Sequence, residues 1–375
     1  MGGGPLRILY TASTAEHLRS FHLPYLAALR DRGHAVTAAA RGDGRGLPAG
    51  VAFFPADFTK KMFSPRNLGC AIRLSRLIRR EKFDVIVTHT SLAAFFTRLG
   101  VLLAGKGSAR VVNTVHGYLF DDDTPPLRRR LLLTAEKLMA GVTDDLLVMN
   151  AYDERLAREH RLCRGRVARI DGMGVPLNRY RPADASERRE ARSALELPED
   201  GFVLLCAAEF SPRKNQSELI RAAARLPEDT ILLLPGDGAL LEECRALAAA
   251  SGAADRIRFP GRLEDLTAYY HAADVYVSAS RSEGLPFSVM EAMGCALPCL
   301  LSRVKGHEDL LGHGRAGLLF PPGDGAALPA GAEKLREDPV LRRAMGEAGR
   351  EAVERYSLDK VLPAVLPWFE HGPEG

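Results

Sequence analysis

Residues 280–299, S-R-S-E-G-L-P-F-S-V-M-E-A-M-G-C-A-L-P-C, are the most informative segment for the fold of this chain. The run before it, A-A-D-V-Y-V-S-A-S at 272–280, is apolar with β-branched and aromatic residues, which predicts a buried strand. Gly284 and Pro286 mark a loop that turns into a helix. A strand, a tight loop and a helix N-terminus form the arrangement at which open α/β sheets bind ligands and helices bind phosphate.

Two acids flank the predicted helix start. Glu283 lies just before it and Glu291 about two turns inside. If both were helical they would be roughly 12 Å apart, at about 1.5 Å per residue, whereas the carboxylates of a glycosidase pair lie roughly 5–9.5 Å apart. The spacing suits two acids that hold opposite ends of a long, hydroxyl-rich ligand with a diphosphate between them. Two ordinary acids, one before a helix and one on its polar face, would give the same spacing.

Composition limits the class of protein. The chain has 375 residues, enough for two domains, and its 46% hydrophobic and 26% charged content is that of a soluble globular protein. A net charge of +4 and the lack of a basic groove with interleaved aromatic residues argue against nucleic acid as a partner. We expect a cytoplasmic location, with the inner face of the membrane as an alternative, because neither a spanning segment nor a secretory signal is evident. The six cysteines have no metal-binding spacing, so we expect free thiols and no metal site.

Strand and helix patterns alternate twice along the chain, which predicts two α/β domains, each with a parallel sheet covered by helices. We place the first domain at 1–175 and the second at 176–355, with 176–200 as a linker and a helix at about 356–371 that packs back onto the first domain. Predicted strands are 6–12, 34–40, 50–54, 84–88, 110–115, 145–149, 201–208, 230–236, 256–261 and 274–279. Predicted helices are 17–32, 67–81, 91–104, 126–140, 215–225, 239–251 and 264–272.

Two turns in the second domain follow predicted strands. In S-P-R-K-N-Q, 211–216, Lys214 lies at a helix start, where it can neutralise a diphosphate as a point charge. In P-G-D-G, 235–238, Gly236 and Gly238 would let a ligand approach the backbone. Neither turn is a dinucleotide or Walker motif, and an ordinary solvated turn is the alternative for both.

The first domain offers histidines and acids at strand ends. His116 follows the strand 110–115, and His89 has a similar but less distinctive position. A histidine satisfied by backbone groups is the alternative. Asp121, Asp122 and Asp123 form a D-x-D pattern, but prolines follow at once, so a solvated loop or an N-cap is favoured over metal–nucleotide binding.

Two helices of the first domain are both basic and apolar. One, 72–82, carries Arg73, Arg76, Arg79, Arg80 and Lys82; the other, 126–140, carries Arg128, Arg129 and Arg130 beside leucines. A basic amphipathic helix can lie on an anionic membrane face. A partly buried, solvated helix would have the same composition.

In their order these motifs are more specific than any one alone. A-E-F-S-P-R-K-N-Q, P-G-D-G, G-R-L-E-D at 261–265, the E-x7-E pair, S-R-V-K-G-H-E-D-L-L and R-A-G-L-L-F-P-P-G-D at 315–324 follow one another. The series resembles the donor-binding half of glycosyltransferase family 4, retaining enzymes of the GT-B fold, in which two Rossmann-like parallel-sheet domains face each other across a cleft. H-L-R-S-F-H-L-P-Y-L, H-G-Y-L-F and G-V-P-L-N-R-Y-R-P agree with the other half. The resemblance is strongest to bacterial members that build exopolysaccharide or capsule on lipid-linked oligosaccharides.

The resemblance implies roles for particular residues. Lys214, with Arg213, would bind the donor diphosphate, Glu283 the donor sugar and Glu291 the ribose hydroxyls. His116 would lie near the sugar, and Ser13 and Thr14 would approach the phosphates. Further donor contacts are implied for Gly236, Gly238, Leu285, Pro286 and Ser288.

The implied reaction is retaining transfer from a nucleotide sugar, with UDP favoured by the family, to a lipid-linked saccharide, without cofactor or metal. The departing phosphate oxygen would take the acceptor's proton. Two features depart from the family: Glu209 stands where many members have an arginine, and the first loop, T-A-S-T-A-E-H, lacks a Gly-Gly pair. A non-hydrolysing nucleotide-sugar epimerase and a non-catalytic nucleotide-sugar-binding protein remain alternatives, and Glu209 favours the second. A nicotinamide dehydrogenase would need the glycine fingerprint that is missing here.

Overall fold

A computed structural model of the chain describes residues 4–59, 61–122, 124–312 and 314–372. The chain forms two compact units, one of Met1–Gly174 with Asp359–Gly375 and one of Val175–Leu358. Each unit contains one sheet whose strands all pair in parallel, with at least one helix between successive strands except between β2 and β3. The prediction of an α/β fold with two Rossmann-like parallel sheets is confirmed.

The seven-stranded sheet of the first unit has the order β3-β2-β1-β4-β5-β6-β7. Ile8 of the central strand pairs with Val36 on one side and Val85 on the other, and all three are buried. The order reverses between β1 and β4, which makes their carboxyl ends the expected ligand-binding edge. The strands are β1 (Arg7–Thr14), β2 (Ala35–Arg41), β3 (Ala52–Pro55), β4 (Val85–His89), β5 (Arg110–Val115), β6 (Asp145–Val148) and β7 (Val167–Arg169).

Six helices of this unit connect its strands: α1 (Ala15–Phe21), α2 (Leu23–Asp31), α3 (Pro65–Glu81), α4 (Ser91–Ala104), α5 (Pro126–Ala140) and α6 (Ala151–His160). The prediction of one helix over 17–32 is wrong. His22 has φ −124° and ψ −3°, which breaks the helix between α1 and α2. Pro24, in the first turn of α2, lacks the N–H group that a continuous helix would need.

The six-stranded sheet of the second unit has the order β10-β9-β8-β11-β12-β13 and reverses between β8 and β11. Its strands are β8 (Phe202–Leu205), β9 (Thr230–Leu233), β10 (Ile257–Arg258), β11 (Val275–Ser278), β12 (Cys299–Ser302) and β13 (Gly317–Phe320). Its helices are α7 (Ala185–Ala194), α8 (Gln216–Ala223), α9 (Leu241–Ala250), α10 (Thr267–Ala272), α11 (Phe287–Gly294), α12 (Lys305–Leu311), α13 (Ala327–Glu337) and α14 (Pro339–Val353).

The segment 176–200 is not a bare linker, because it contains α7. Asp184 and Glu187 form a capping box at the start of this helix. Arg188 and Arg192 then bind the two oxygens of Asp274, just before β11, at 2.7 and 2.8 Å. The pattern of Asp184 followed three residues later by Glu187 is typical of a helix N-terminus. It could have predicted α7, which the polar composition of 176–200 did not indicate.

The end of the chain lies in the first unit. α15 (Leu358–Val365) leads to Phe369, which is buried. Arg110 of β5 donates to the carbonyl oxygens of Trp368 and Glu370, at 2.8 and 3.2 Å. The Glu370 carboxylate contacts the His34 ring at 2.8 Å, so both main-chain and side-chain groups hold this segment in place.

Candidate functional site

The loop after β11 is built by close backbone packing. Pro286 precedes the first residue of α11, and Leu285 beside it is buried. A Cβ atom on Gly306 of α12 would lie 2.4 Å from the carbonyl oxygen of Gly284, so only glycine allows α12 to approach the loop. Since α11 begins at Phe287, Glu291 lies just over one turn inside the helix and not two turns as predicted.

Glu283 forms salt bridges with the two basic residues that were predicted to bind the donor diphosphate, Lys214 and Arg213. Lys214 Nζ lies 2.6 Å from Glu283 Oε1, and an Arg213 guanidinium nitrogen lies 2.8 Å from Oε2. The Glu283 side chain is only 5% exposed and that of Lys214 14%. Burial raises the pKa of Glu283, but Lys214 and then Arg213 outweigh burial and lower this pKa to about 2. Three predicted site residues therefore meet as two cations around one ionised carboxylate.

This cluster lies at the carboxyl edge of the second sheet, beyond the ends of β8 and β11. The arrangement leaves one positive charge in excess, close to the N-terminus of α11, and both features favour an anion. Glu209 is exposed in the loop after β8, and its backbone carbonyl accepts a hydrogen bond from Gln216. The cationic side chains at this edge that the sequence singled out are thus Lys214 and Arg213.

Glu291 and Ser288 are held by tyrosines that the sequence reasoning missed. The hydroxyl of Tyr270, on α10, donates to the Glu291 carboxylate at 2.7 Å, and that of Tyr276, on β11, contacts Ser288 Oγ at 2.7 Å. Burial raises the pKa of Glu291, while hydrogen bonds from Tyr270 and Tyr180 oppose this rise. The tyrosines at 269, 270 and 276, close before the E-x7-E pair, were the available signal.

Gly236 and Gly238 are required by the loop itself. Both have φ near +150°, and Cβ atoms there would lie 2.0 Å from the Ala208 carbonyl oxygen and 2.4 Å from that of Phe210. The Gly236 N–H donates to the Gly261 carbonyl at 2.8 Å, so the turn is held both by this hydrogen bond and by its close packing against Ala208 and Phe210. Contact with neighbouring backbone explains both glycines, and their contact with a donor stays a prediction.

We expect Gly236→Ala to destabilise the second unit by about 1–3 kcal/mol, because the added methyl must displace rigid backbone at a φ that suits glycine. The measurement is the free energy of unfolding in urea. Gly252→Ala is the matched control: Gly252 also has positive φ, 76°, but a Cβ there meets no atom within 4 Å. Equal losses in the two variants would show that backbone conformation, and not the close approach to Ala208, sets the cost.

The site residues predicted in the first unit, Ser13, Thr14 and His116, lie at the carboxyl ends of β1 and β5. Thr14 Oγ1 caps α1 by accepting from the His17 N–H at 3.1 Å, and Ser13 precedes it. His116 follows β5, and its Nε2 lies 3.1 Å from Nδ1 of His89, the last residue of β4. His17 and His22 join them, although the sequence reasoning assigned neither residue a role. Burial lowers the pKa of His116 well below its usual value, and the nearby His17 lowers it further, so the ring is neutral.

The D-x-D segment has local partners. Asp121 accepts from the Thr124 hydroxyl at 2.8 Å, and Asp122 contacts Arg129 of α5 and the hydroxyl of Tyr152. Asp123 lies outside the described residues. The N-cap of α5 is Pro125, and Asp121 and Asp122 lie in the loop before it, so of the two favoured alternatives the structure supports a loop and not an N-cap.

Two Rossmann-like parallel sheets, with a lysine–arginine–glutamate cluster at the carboxyl edge of the second, are typical of a GT-B-type α/β protein. Residues 25–172 match the family described as Glycosyltransferase Family 4, and residues 187–352 match Glycosyl transferases group 1. The glycosyltransferase named EpsD of Bacillus subtilis (strain 168) is 32% identical over 94% of this chain and 93% of its own. The chain therefore belongs to glycosyltransferase family 4 and is a glycosyltransferase, as its motifs predicted.

Two further similarities are informative. An Escherichia coli protein named UDP-Gal:alpha-D-GlcNAc-diphosphoundecaprenol alpha-1,3-galactosyltransferase is 24% identical over 82% of this chain and 81% of its own. The crystal structure of Anabaena HepE in complex with UDP and glucose superposes with a TM-score of 0.79, covering 98% of this chain and 100% of that one, at 19% identity. At that identity the structural match establishes the shared GT-B fold.

Proposed function

We propose that this glycosyltransferase moves a sugar with retention from a UDP-sugar to a lipid-linked saccharide in cell-surface polysaccharide synthesis. The observation that carries the proposal is the contact of Lys214 and Arg213 with buried Glu283 beside the start of α11. A departing diphosphate gains negative charge as its bond to the sugar breaks, and preorganised cations and helix N–H groups stabilise that charge. The proposed reaction therefore needs no metal.

In the free protein Glu283 forms salt bridges with both Lys214 and Arg213. An incoming diphosphate competes with the carboxylate for Lys214 and Arg213, and Glu283 is then released to accept hydrogen bonds from sugar hydroxyls. Glu291, held by Tyr270, offers its carboxylate to the ribose hydroxyls. The donor sites proposed from the sequence thus correspond to one anion-binding and two hydroxyl-binding positions.

A UDP donor is supported by two of the similar proteins, one named for UDP-Gal and one crystallised with UDP and glucose. The test is a thermal-shift screen of UDP- and GDP-sugars, since a ligand at about 100 times its Kd adds about 2.7 kcal/mol of stability. We expect the melting temperature to rise with a UDP-sugar and not with GDP-sugars. Stabilisation by GDP-sugars alone would contradict the UDP assignment.

A lipid-linked acceptor is supported by the diphosphoundecaprenol in the name of the Escherichia coli relative. The decisive assay follows the stabilising donor with and without a polyprenyl-diphosphate-linked saccharide, and reads the anomeric configuration of the product by NMR. A product that forms only with the acceptor and keeps the donor configuration supports the proposal. An isomeric nucleotide sugar formed without acceptor would indicate a non-hydrolysing epimerase, and tight donor binding without turnover would indicate a non-catalytic binding protein.

We also propose that the first unit contacts the membrane peripherally. Among the described residues, no helix has the length and apolar run needed to cross a bilayer. Large apolar side chains are nevertheless exposed on and next to α3 and α5: Phe63 is 82% exposed, Leu127 84% and Leu138 66%. Exposed arginines accompany them, including Arg128 and Arg130. Apolar side chains beside cations are the combination that binds an anionic lipid surface.

Reversing two of these charges should weaken membrane binding. We expect Arg128→Glu/Arg130→Glu to lower partitioning to phosphatidylserine-containing vesicles at least 30-fold, at about 1 kcal/mol for each lost cation. Arg129 is left intact because it pairs with Asp122. The matched control is Arg315→Glu/Arg343→Glu, which reverses two exposed charges of the second unit. Unchanged partitioning of the first variant, or equal loss in both, contradicts a specific membrane face.

A further inference from the structure

The histidines at the carboxyl edge of the first sheet form a compact group from separate elements. His17 lies on α1, His22 between α1 and α2, and His116 after β5. One potential ligand atom from each lies within 4.8 Å of the other two. Of the described residues, only these three are grouped in a way that could hold a metal ion.

The ring nitrogens are available as ligands. Among the described residues, Nε2 of His17 and Nε2 of His22 are buried and have no hydrogen-bond partner. Leaving a buried polar atom unpaired costs free energy, so such atoms commonly have a ligand or water as partner. Burial lowers the pKa of His17 to about 4, and burial lowers the pKa of His22 as well, so both rings are neutral at physiological pH, which is the form that binds metal.

Neighbouring side chains contact the ring nitrogens of His22 and His116 that would not bind the metal, as the hydrogen-bond partners of metal ligands do. The Tyr10 hydroxyl lies 2.8 Å from Nδ1 of His22, which leaves Nε2 of His22 for a ligand. His89 Nδ1 lies 3.1 Å from Nε2 of His116. When His116 donates through Nε2 to His89, its Nδ1 carries the lone pair. Contacts of this kind fix the tautomer and orientation of metal-binding histidines.

We propose that His17, His22 and His116 bind one divalent transition-metal ion, with Zn²⁺ the best match. Three imidazoles with a fourth position open to water are a known tetrahedral zinc arrangement, and imidazole ligands suit zinc. With Zn–N bonds of about 2.0–2.1 Å, tetrahedral ligand nitrogens lie about 3.3 Å apart. The present limit of 4.8 Å means that no pair must close by more than about 1.5 Å, within the reach of side-chain rotation.

The proposed ion is a regulator and not a participant in transfer. Metal binding would engage His116 at the carboxyl edge of the first sheet, the edge at which open α/β sheets bind ligands, so Zn²⁺ should inhibit transfer. This consequence rests on the proposed function, whereas binding itself does not. The two parts are therefore measured separately.

The binding experiment uses the full chain, stripped with chelator and titrated with Zn²⁺ by calorimetry and with Co²⁺ by visible absorption. We expect one ion per chain and a Co²⁺ spectrum of tetrahedral type. His17→Gln should weaken affinity at least 10–100-fold, the scale for losing even an outer-shell partner. His17 is only half-buried, so this variant tests the site even if His22→Gln fails to fold.

Two control variants test whether metal binding is specific to the three histidines. His271→Gln removes a histidine of the second unit, and Cys163→Ser removes a half-buried thiol, so both should bind as the wild type does. Wild-type affinity in His17→Gln overturns the proposal, as does equal loss in His271→Gln. Histidine-dependent binding in a protein that shows no transfer would leave the metal site standing and count against the proposed function. Transfer that is insensitive to Zn²⁺ at saturating occupancy would overturn the inhibitory role alone.

Discussion

Lys214→Ala is expected to lower the rate of sugar transfer about 10²–10³-fold, the usual loss when one electrostatic stabiliser of a developing anion is removed. Lys214 is the more buried of the two cations that contact Glu283, so Arg213, which is 48% exposed, cannot replace it at the same strength. The measurement is steady-state turnover with the stabilising donor and acceptor. Normal turnover would mean that the diphosphate is bound elsewhere.

The same substitution also leaves Glu283 buried with one cation instead of two, so a loss of rate must be separated from a loss of fold. Lys214→Ala/Glu283→Gln removes the stranded charge and should recover much of the melting temperature but none of the activity. Lys334→Ala removes an exposed lysine of α13 and should change neither quantity. A single variant that keeps the wild-type melting temperature while losing donor-induced stabilisation would support direct diphosphate binding most strongly.

Arg98→Met is expected to destabilise the first unit by about 3–5 kcal/mol, because it leaves the Glu136 carboxylate buried without its cation. Arg98 on α4 is fully buried, and its guanidinium lies 2.8 Å from Glu136 on α5. It also donates to the Ala94 carbonyl and contacts Thr143. This pair therefore ties α5, which carries the proposed membrane-facing arginines, to the helix layer over the sheet. The free energy of unfolding in urea measures the effect.

Arg98→Met/Glu136→Leu is the informative partner variant. Replacing both charges with apolar groups removes the uncompensated carboxylate, so the double variant should be much more stable than Arg98→Met. Arg76→Met, at an exposed position of α3, should stay within about 0.5 kcal/mol of the wild type. If the single and double variants were equally unstable, lost packing of the long Arg98 side chain, and not the stranded charge, would be responsible.

Local periodicity carried most of the fold prediction. Helices α4 and α5 and strand β5 begin and end where the sequence predicted, because their apolar positions follow one period throughout. The helix predicted over 17–32 failed at His22 and Pro24, where one missing N–H group outweighs a continuous apolar pattern. The helix α7 was missed because its only buried residues are Ala191 and Arg192, and composition does not distinguish so small and polar a buried face from a linker.

The candidate site was harder to predict because its contacts join distant parts of the chain. Lys214 and Glu283 are 69 residues apart, yet their charged atoms lie 2.6 Å apart. Tyr270 reaches Glu291 only because α10 and α11 pack near each other, and no local pattern reports that contact. For the glycines of the P-G-D-G turn the sequence left ligand approach and ordinary turn chemistry open, and the structure shows that neighbouring backbone requires both glycines.

From the sequence alone we predicted two parallel α/β units and a resemblance to glycosyltransferase family 4, and both are confirmed. The hydrophobic periodicity of each helix or strand, and the order of the motifs, can be read along the chain without knowing how the elements pack. Tertiary packing sets which charges face one another: it pairs Glu283 with both cations proposed for the donor and brings four histidines to one sheet edge. Electrostatic and ligand interactions depend on distances of a few ångströms between side chains, and folding alone brings residues so far apart in the chain to those distances.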